Sequence, residues 1–295
     1  MNGQPTGVPA DLVVRVVQDG PMGAKELAVQ RAVAGLGFNT PAVRLAGAVN
    51  GHKWSVMDFA AGSPPLTGMN GLAALRRAPM VLRQLPSQLA TPLAELHQLD
   101  PMTVTEAVRN AAPSVVWTVE DLLVHFKAQA ELLGRSQLAL IAGRLSESRP
   151  SEDRRVVCHG DYHPFNLLVS PGSPTVVVDW TGSLLAEPVY DLAFTTLLLE
   201  HPPLDAPGPF GSIIGGLGRR LATRFLDAYQ SVGLRADLAQ LGWYRGLHGL
   251  RVLIELASME HHHSDRVSGH PFNTLRSAAE AAVVDEIGPI NGGLG

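Results

Sequence analysis

Four polar residues lie within eight consecutive positions of this 295-residue chain, between two apolar runs. The stretch RRVVCHGDYHPFNLLVS, residues 154–170, carries His159, Asp161, His163 and Asn166. A loop that only connects two strands rarely needs such a density of hydrogen-bonding groups, so the stretch indicates a chemical site. The types and spacing of these residues limit the chemistry that such a site can perform.

The spacing of an aspartate and an asparagine favours phosphoryl transfer. A kinase catalytic loop follows the pattern H-x-D-x-x-x-x-N, with the carboxylate at the acceptor hydroxyl and the amide oxygen on a magnesium ion. His159, Asp161 and Asn166 reproduce these offsets. A second magnesium carboxylate should follow a short strand, and Asp179 in TVVVDWTG occupies that place. Carboxylate and amide oxygens are the hard ligands that Mg²⁺ requires.

Two other interpretations remain open from the residues alone. His159, Asp161 and His163 alternate along the chain, so on a strand they would share one face and could bind the metal of a hydrolase. The only other candidate metal cluster is MEHHHSDR, residues 259–266, which is more typical of a solvated helix end. Alternatively, the loop is a set of buried, hydrogen-bonded polar residues, and Cys158 and His163 fit that description.

Composition argues against several classes of partner. A net charge of −4 and a pI near 6.2 leave no basic stripe to meet phosphates, so we expect neither a nucleic acid nor a membrane as partner. The single cysteine, Cys158, cannot form an internal disulfide, which fits the reducing cytoplasm. The start MNGQPTGVPADLVV lacks the features of a signal peptide, and no apolar run approaches the roughly 20 residues that span a bilayer. We therefore expect a soluble, cytoplasmic protein.

The first part of the chain reads as mixed α/β. DLVVRVV, residues 11–17, is a β-branched strand, and AKELAVQRAVAGLG, residues 24–37, has the pattern of a helix that ends at glycine. Residues 42–59 read as a hairpin around Asn50-Gly51, a dipeptide that suits a type I′ turn. AAGSPPLTG, residues 60–68, has the composition of a linker.

The linker divides the chain into a predicted N-terminal lobe, residues 1–59, and a mainly helical C-terminal lobe, residues 69–295. The motif region interrupts the helices as a short hairpin, and Pro86 should break or kink the second helix. The Pro- and Gly-rich segment 201–211 is predicted as a loop. The predicted helices cover residues 69–77, 80–98, 118–133, 136–148, 191–199, 212–231, 236–261 and 273–285.

HGDYHPFN, VVVDW and EPVYDLA together resemble the aminoglycoside phosphotransferase family, whose fold is similar to that of protein kinases. The resemblance extends from about residue 11 to about residue 260 and is sharpest over residues 156–194. It implies an α+β, two-lobed, protein-kinase-like fold with ATP and Mg²⁺ as cofactors. It also implies a small molecule with a hydroxyl group as the phosphate acceptor.

The resemblance assigns roles residue by residue. It implies that Asp161 is the catalytic base, that Asn166 and Asp179 bind magnesium, and that His159 holds the loop by hydrogen bonds. Asp191, which opens DLAF, would be a structural anchor beneath the loop, although it equally suits a helix N-cap.

The N-terminal lobe should hold the nucleotide. Kinase-like folds pair a basic strand residue with a glutamate on the next helix, and Arg15 and Glu26 stand in those places. An arginine fork oriented by a carboxylate could clamp phosphate. The alternative is an exposed strand arginine and a glutamate favoured by the helix dipole. Met57, Asp58 and Phe59 would offer backbone groups to adenine.

Only ten residues precede Asp11, and Gly3 and Gly7 do not form a convincing phosphate loop. The glycine-rich hairpin that covers the phosphates in kinases needs more chain than this, so the N-terminal lobe is expected to be incomplete. A non-catalytic, kinase-like nucleotide-binding protein is therefore the first alternative to an active phosphotransferase. A metal-dependent hydrolase is the second alternative.

The predicted helix that starts at LGWYRGLHGLRVLIELASMEH has two stripes at helical spacing. Gly246 and Gly249 cost stability in a helix, which predicts close packing on a further face. The first stripe is apolar and predicted as core: Trp243, Leu247, Leu250 and Ile254. The second is polar and predicted to line the acceptor cleft: Tyr244, His248, Arg251 and Glu255. Its mixed charge argues against a polycationic antibiotic and favours a neutral or partly anionic hydroxyl compound.

Overall fold

The computed structural model describes residues 11–17, 20–49, 52–68, 71–151, 154–202, 209–232, 235–262 and 270–289. A small sheet with one helix precedes a larger, mainly helical part, which confirms the predicted α+β class. The Asn50-Gly51 turn, the ten residues before Asp11 and the second half of MEHHHSDR, residues 263–266, lie outside the described residues. The division at residues 60–68 stays a prediction.

An antiparallel sheet forms the first part of the structure. Its strands β1 (Leu12–Val17), β2 (Val43–Val49) and β3 (His52–Asp58) are ordered β1–β3–β2, and α1 (Gly20–Gly35) follows β1. The β-branched residues of β1 favour this extended conformation. Shortly after α1, Gly37 adopts a left-handed backbone with φ of 86°, which glycine tolerates without strain and which turns the chain toward β2.

The larger part contains the remaining described helices. None of the described helices is both long and apolar enough to cross a membrane. The helices are α2 (Gly71–Leu96), α3 (Pro101–Ala111), α4 (Val119–Leu132), α5 (Ser136–Glu147), α6 (Val189–Glu200), α7 (Pro209–Ser231), α8 (Leu241–His262) and α9 (Pro271–Ile287).

Two short antiparallel strand pairs frame the polar loop. β4 (Val156–Cys158) pairs with β7 (Leu184–Ala186), and β5 (Leu167–Leu168) pairs with β6 (Val176–Val177). The predicted hairpin is therefore present as β5–β6. The strand before the loop pairs instead with β7, which no sequence pattern indicated. These pairs place the loop between β4 and β5 beside the segment that follows β6.

The helix boundaries correct three predictions. The two helices predicted on either side of Pro79 are one helix, α2, which contains Pro79, Pro86 and Pro92, so the predicted break at Pro86 is wrong. Buried leucines such as Leu89 hold one face of α2 in the core and offset the hydrogen bonds that the prolines remove. The segment predicted as a loop at 201–211 ends in helix, because α7 already begins at Pro209.

The helix α3, which was not predicted, begins with a recognisable start signal. Asp100 is its N-cap, and the carboxylate accepts hydrogen bonds from the amides of Met102 and Thr103 at 3.1 and 3.0 Å. Pro101 follows at the first helical position, where its missing N–H costs nothing. An aspartate followed by proline is therefore the pattern from which α3 could have been predicted.

The apolar stripe of α8 lies in the core, as predicted, and Trp243 and Leu247 are fully buried. Gly246 and Gly249 of α8 meet α9, which confirms the predicted close packing. A Cβ atom at Gly249 would lie 2.6 Å from the Ala279 carbonyl oxygen, and one at Gly246 would lie 3.1 Å from the Cβ atom of Glu286. The helix axes can approach this closely only because no side chain intervenes.

The polar stripe of α8 is not a cleft wall along its whole length, because α6 covers its first half. Tyr244 and His248 are 1% and 0% exposed. The Tyr244 hydroxyl donates to the carboxylate of Glu187, and His248 Nε2 donates to the Tyr190 carbonyl at 2.8 Å. The prediction that Tyr244 and His248 contact the acceptor is therefore wrong, since both side chains are buried in the core.

The contact between α6 and α7 predicts opposite effects for two glycines of the same helix. A Cβ atom at Gly218 would lie 2.2 Å from the Leu199 carbonyl oxygen, whereas one at Gly216 would meet nothing within 4 Å. We expect Gly218→Ala to destabilise the fold by about 1–3 kcal/mol through overpacking. We expect Gly216→Ala to stabilise it by up to about 1 kcal/mol through helix propensity. Urea unfolding measures both, and equal effects would contradict this packing.

Burial of His248 predicts a loss of stability in acid. Burial, and then the charge of Arg251, lower the pKa of His248 to about 3, whereas the unfolded chain takes up this proton near pH 6.5. Between these values the unfolded state binds more protons, so stability falls by up to about 1.4 kcal/mol per pH unit as pH decreases.

His248→Gln retains a donor for the Tyr190 carbonyl but cannot be protonated. We expect its free energy of unfolding to fall less steeply than that of the wild type from pH 6.5 to pH 4, as followed by denaturant unfolding. A constant difference between the two proteins over this range would contradict the buried, neutral imidazole.

Candidate active site

A buried carboxylate anchors the polar loop. Asp191 accepts hydrogen bonds from the amides of His159 and Gly160, both at 2.7 Å, and contacts His97 Nε2 at 3.1 Å. The N-cap position of α6 is Pro188, so the N-cap alternative for Asp191 is wrong. Burial alone would raise the pKa of Asp191, but these hydrogen bonds and the two histidines hold it below its usual value.

His159 is a structural group of the loop. Its Nε2 donates to the Val178 carbonyl at 3.0 Å, and its Nδ1 accepts the amide hydrogen of Asp161 at 3.3 Å. Burial lowers the pKa of His159, which favours this neutral tautomer. Both ring nitrogens of His159 are therefore occupied by hydrogen bonds and are not available to a metal. Gly160 has a left-handed backbone with φ of 77°, so residues 159–163 do not alternate as they would on a strand. The predicted hydrolase site of His159, Asp161 and His163 is therefore not formed.

A guanidinium, an imidazole and a side-chain amide surround the carboxylate of Asp161. Arg251 Nη2 lies 3.3 Å from Oδ1, while His163 Nε2 and Asn166 Nδ2 lie 3.4 and 3.3 Å from Oδ2. Burial alone would raise the pKa of Asp161, but the hydrogen bond from His163 and the charge of Arg251 hold it well below its usual value. Asp161 is therefore ionised and a weak base.

The β5–β6 pair brings Asn166 and Asp179 to the same end of the hairpin. Asn166 directly precedes β5, and its carbonyl accepts the amide hydrogen of Val178 at 3.0 Å. Asp179 follows with φ of 69°, a left-handed conformation that is uncommon for a residue with a side chain. The hydroxyl of Thr181 lies 2.7 Å from the Asp179 carboxylate and supports this conformation.

The first part of the structure reaches this site through Arg15. Its Nη1 pairs with the Glu26 carboxylate at 2.6 Å, and its Nη2 lies 3.3 Å from Asp179 Oδ1. Burial would raise the pKa of Asp179, but Thr181 and Arg15 lower it below its usual value. Burial raises the pKa of Glu26 in spite of the Arg15 charge. Arg15 and Glu26, which were predicted as a pair, are thus in contact beside the predicted metal ligands.

The segment predicted to contact adenine is partly occupied by its own sheet. The amides of Asp58 and Phe59 donate to the carbonyls of Ala42 and Asp11 at 3.0 and 3.2 Å. The Asp58 carboxylate pairs with an arginine on β2, and Met57 is buried. The two amides are therefore not available to adenine, which corrects the prediction for Asp58 and Phe59. The prediction that the backbone carbonyls of Asp58 and Phe59 contact adenine is not changed by this correction.

The second half of the polar stripe of α8 does reach the site, but it contacts the loop. Arg251 Nε pairs with Glu255 at 3.0 Å, Nη1 donates to the Gly160 carbonyl, and Nη2 contacts Asp161. The guanidinium also lies 5.0 Å from the ring centre of Phe194. Because Arg251 is used internally, it is not a free cation for an acceptor. The mixed charge of the polar stripe was the reason to expect that the acceptor is not a polycation, and that reason no longer applies.

The turn after Asp179 packs on the backbone of the polar loop. A Cβ atom at Gly160 would lie 1.9 Å from the Gly182 carbonyl oxygen, so only glycine fits there. Lys25 of α1 donates to the carbonyl of Ser183, the next residue, at 2.8 Å. Sequence reasoning missed Lys25, which belongs to no motif, and Thr181, because only Asp179 of TVVVDWTG was given a role. Their adjacency to Glu26 and Asp179 is the only signal that could have indicated them.

One group of potential metal ligands lies beneath the loop within the described residues. His97, Cys158 and Asp191 each place a ligand atom within 4.8 Å of the others. All three are buried, and the second ring nitrogen of His97 contacts the Tyr229 hydroxyl at 2.7 Å. Burial raises the pKa of Cys158 well above its usual value, which disfavours the thiolate that a metal requires. The group fits a hydrogen-bonded core better than a metal site.

Comparisons with solved structures show the same fold. A Ralstonia eutropha protein described as an aminoglycoside phosphotransferase has a TM-score of 0.63, with 18% identity over 95% of this chain and 94% of that one. Amicoumacin kinase, in complex with AMP-PNP and Ca²⁺, has a TM-score of 0.59, with 12% identity over 95% and 84%. Spectinomycin phosphotransferase, in complex with ADP and spectinomycin, has a TM-score of 0.56, with 14% identity over 93% and 86%.

Sequence comparison gives the family. A curated relative, the aminoglycoside 3'-phosphotransferase of Streptomyces fradiae, is 33% identical over 144 residues, which are 48% of this chain and 46% of the relative. The chain thus spans about half the length of that relative. The model of the phosphotransferase enzyme family matches residues 5–244. Because this match covers most of the sequence, including the loop, Asp179 and Asp191, the chain belongs to the phosphotransferase enzyme family.

Proposed function

We propose that the protein is an ATP- and Mg²⁺-dependent phosphotransferase that moves the γ-phosphoryl group of ATP to a hydroxyl group of a small molecule in the cytoplasm. The observation that carries this proposal is the ionised Asp161 beside Asn166, with Asp179 two residues after the paired strand β6. Structural relatives were solved with ADP or AMP-PNP, which supports a nucleotide as the donor.

The residues present fit a magnesium ion. Asn166 Nδ2 lies 2.9 Å from the Asp161 carbonyl and 3.3 Å from its carboxylate, so the amide oxygen of Asn166 lies on the opposite branch and faces away from Asp161. The carboxylate of Asp179 is ionised and 43% exposed. These two hard oxygen ligands would hold Mg²⁺, which would neutralise charge on the phosphate oxygens.

Asp161 is suited to orient the acceptor hydroxyl. Its low pKa makes it a poor proton acceptor in the ground state, but a hydroxyl group can donate a hydrogen bond to it and thereby point its oxygen at the phosphorus. In a loose transition state the hydroxyl proton leaves late, so strong basicity is not required. Arg251 and His163 keep the carboxylate in one orientation.

Arg15 is suited to bind the phosphates of the nucleotide. Glu26 is buried and holds one side of the guanidinium, while the other side reaches Asp179 at the predicted magnesium site. A phosphate oxygen near this position would accept hydrogen bonds from the remaining N–H groups of the fork. The ion pair thus positions a permanent positive charge where the charge of ATP would lie.

The acceptor would lie on the open side of Asp161, where Glu255 is 41% exposed. The relatives are named for aminoglycosides, spectinomycin and amicoumacin, so hydroxylated antibiotics belong in an acceptor screen. Neutral and anionic hydroxyl metabolites belong there too, because the paired Arg251 and Glu255 leave no excess charge at this position.

Asp161→Asn tests the orienting carboxylate. We expect kcat to fall by about 100-fold or more with an identified acceptor, because a positioned acid–base group contributes roughly that much. ATP binding and thermal unfolding should not change. Coupled measurement of ADP release gives kcat, and Asp100→Asn, which can still cap α3, is the matched control.

Full turnover of Asp161→Asn would contradict this assignment. If the wild type binds Mg-ATP but phosphorylates no acceptor in a broad screen, the non-catalytic alternative is the correct one.

Asp179→Asn tests the proposed magnesium ligand. Asparagine tolerates the left-handed backbone at this position but lacks the charge, so we expect the Mg²⁺-dependent gain in ATP affinity to fall at least about 10-fold. Calorimetric titration of ATP with and without Mg²⁺ measures this gain. The same gain in the variant and the wild type would show that the metal binds elsewhere.

A further inference from the structure

Lys25 is a buried lysine that the proposed mechanism does not use. It is one of three lysines in the sequence and is only 3% exposed. Its ammonium donates to the Ser183 carbonyl at 2.8 Å, and no carboxylate among the described residues forms an ion pair with it. Burial of a cation on a single backbone carbonyl is costly, so stability alone does not explain a lysine here.

The carbonyl that Lys25 holds belongs to the turn that follows the proposed metal ligand. Both the amide and the hydroxyl of Ser183 donate to the Trp180 carbonyl, at 3.2 and 2.7 Å, which closes this turn directly after Asp179. Gly182 of the same turn lies against Gly160 of the catalytic loop. A shift of the turn would therefore move both the metal ligand and the loop.

Helix α1 contacts this turn at two points. Glu26 lies 3.3 Å from the Thr181 hydroxyl, and Lys25, its neighbour, reaches Ser183. The Glu26 contact is linked to the ion pairs of Arg15 with Glu26 and Asp179, whereas the Lys25 contact is independent of these ion pairs. Burial, and then the nearby charge of Arg251, lower the pKa of Lys25 to about 8, so the fold bears an electrostatic cost at this point.

We propose that Lys25 is a positioning residue for phosphoryl transfer, which fixes the turn after Asp179 to α1 and so keeps Asp179 at the proposed magnesium site. The inference rests on the proposed function of that site. Lys25 contacts neither the acceptor nor the phosphates in this role. It acts through the backbone of the turn, so its loss should change the use of magnesium more than the binding of the acceptor.

The test is Lys25→Met, which retains the length of the side chain and removes the donor and the charge. We expect kcat to fall about 10- to 100-fold, as misplacement of a reacting group by about 1 Å would predict. The Mg²⁺ concentration that gives half-maximal rate should rise, while KM for the acceptor stays the same. The melting temperature should be unchanged or higher, because a buried charge is removed.

Lys53→Met is the matched control. Lys53 also donates to a backbone carbonyl at 2.8 Å, but that carbonyl belongs to Gly20 at the start of α1 and not to the turn after Asp179. We expect normal kcat and a normal Mg²⁺ requirement. Equal losses in the two variants would mean that general docking of α1 matters and would overturn the specific role of Lys25. Unchanged kcat and Mg²⁺ requirement in Lys25→Met would also overturn it.

If Lys25→Met does not fold, Lys25→Gln gives the same test, because its shorter amide does not reach the Ser183 carbonyl. A second readout separates this inference from the proposed function. If the wild type transfers no phosphate, the Mg²⁺-dependent gain in ATP affinity is measured by calorimetry instead. Loss of this gain in the Lys25 variant alone supports the inference, and its retention overturns the inference.

Discussion

The hydrogen bonds of the buried Asp191 carboxylate are the interaction on which the site depends. Two consecutive amides, of His159 and Gly160, point at this carboxylate, and His97, the residue after α2, contacts it as well. A buried charge is tolerated only when donors of this kind satisfy it. Because the amides belong to the loop that carries Asp161, the position of the proposed catalytic group follows from a carboxylate that itself never meets a substrate.

The charges around the site form two groups of ion pairs, one supported from each part of the chain. Arg251 supports Asp161 from α8, and Arg15 joins Glu26 to Asp179 from β1. Each proposed acidic group thus has a basic partner that orients it and lowers its pKa. The arrangement brings together residues that are up to 164 positions apart in the chain, so it depends on the packing of the whole structure.

Local spacing made part of this site predictable. Asp161, Asn166 and Asp179 lie within one strand–loop–hairpin segment, and its hydrogen bonds are set by short offsets along the chain. The strand–helix pair of Arg15 and Glu26 is also local. The α+β class and most helices followed from hydrophobic periodicity, whereas the break expected in α2 failed because tertiary packing outweighed the prolines.

The remainder depends on partners far along the chain. Tyr244 and His248 formed a polar stripe with Arg251, and periodicity cannot distinguish a cleft wall from a helix face whose polar groups pair inside the core. Their partners come from the segment around α6. Lys25 was equally hidden, because its partner is a backbone carbonyl, and a carbonyl has no signature in the residue types of a sequence.

The environment of the only cysteine has a practical consequence. Cys158 ends β4 directly before the loop, is fully buried, and is held in the protonated form by its surroundings. Such a thiol reacts with alkylating reagents only when the surrounding structure opens. Its labelling rate would therefore report opening at the base of the loop, and a cysteine introduced at the surface could carry a spectroscopic probe without competition from Cys158.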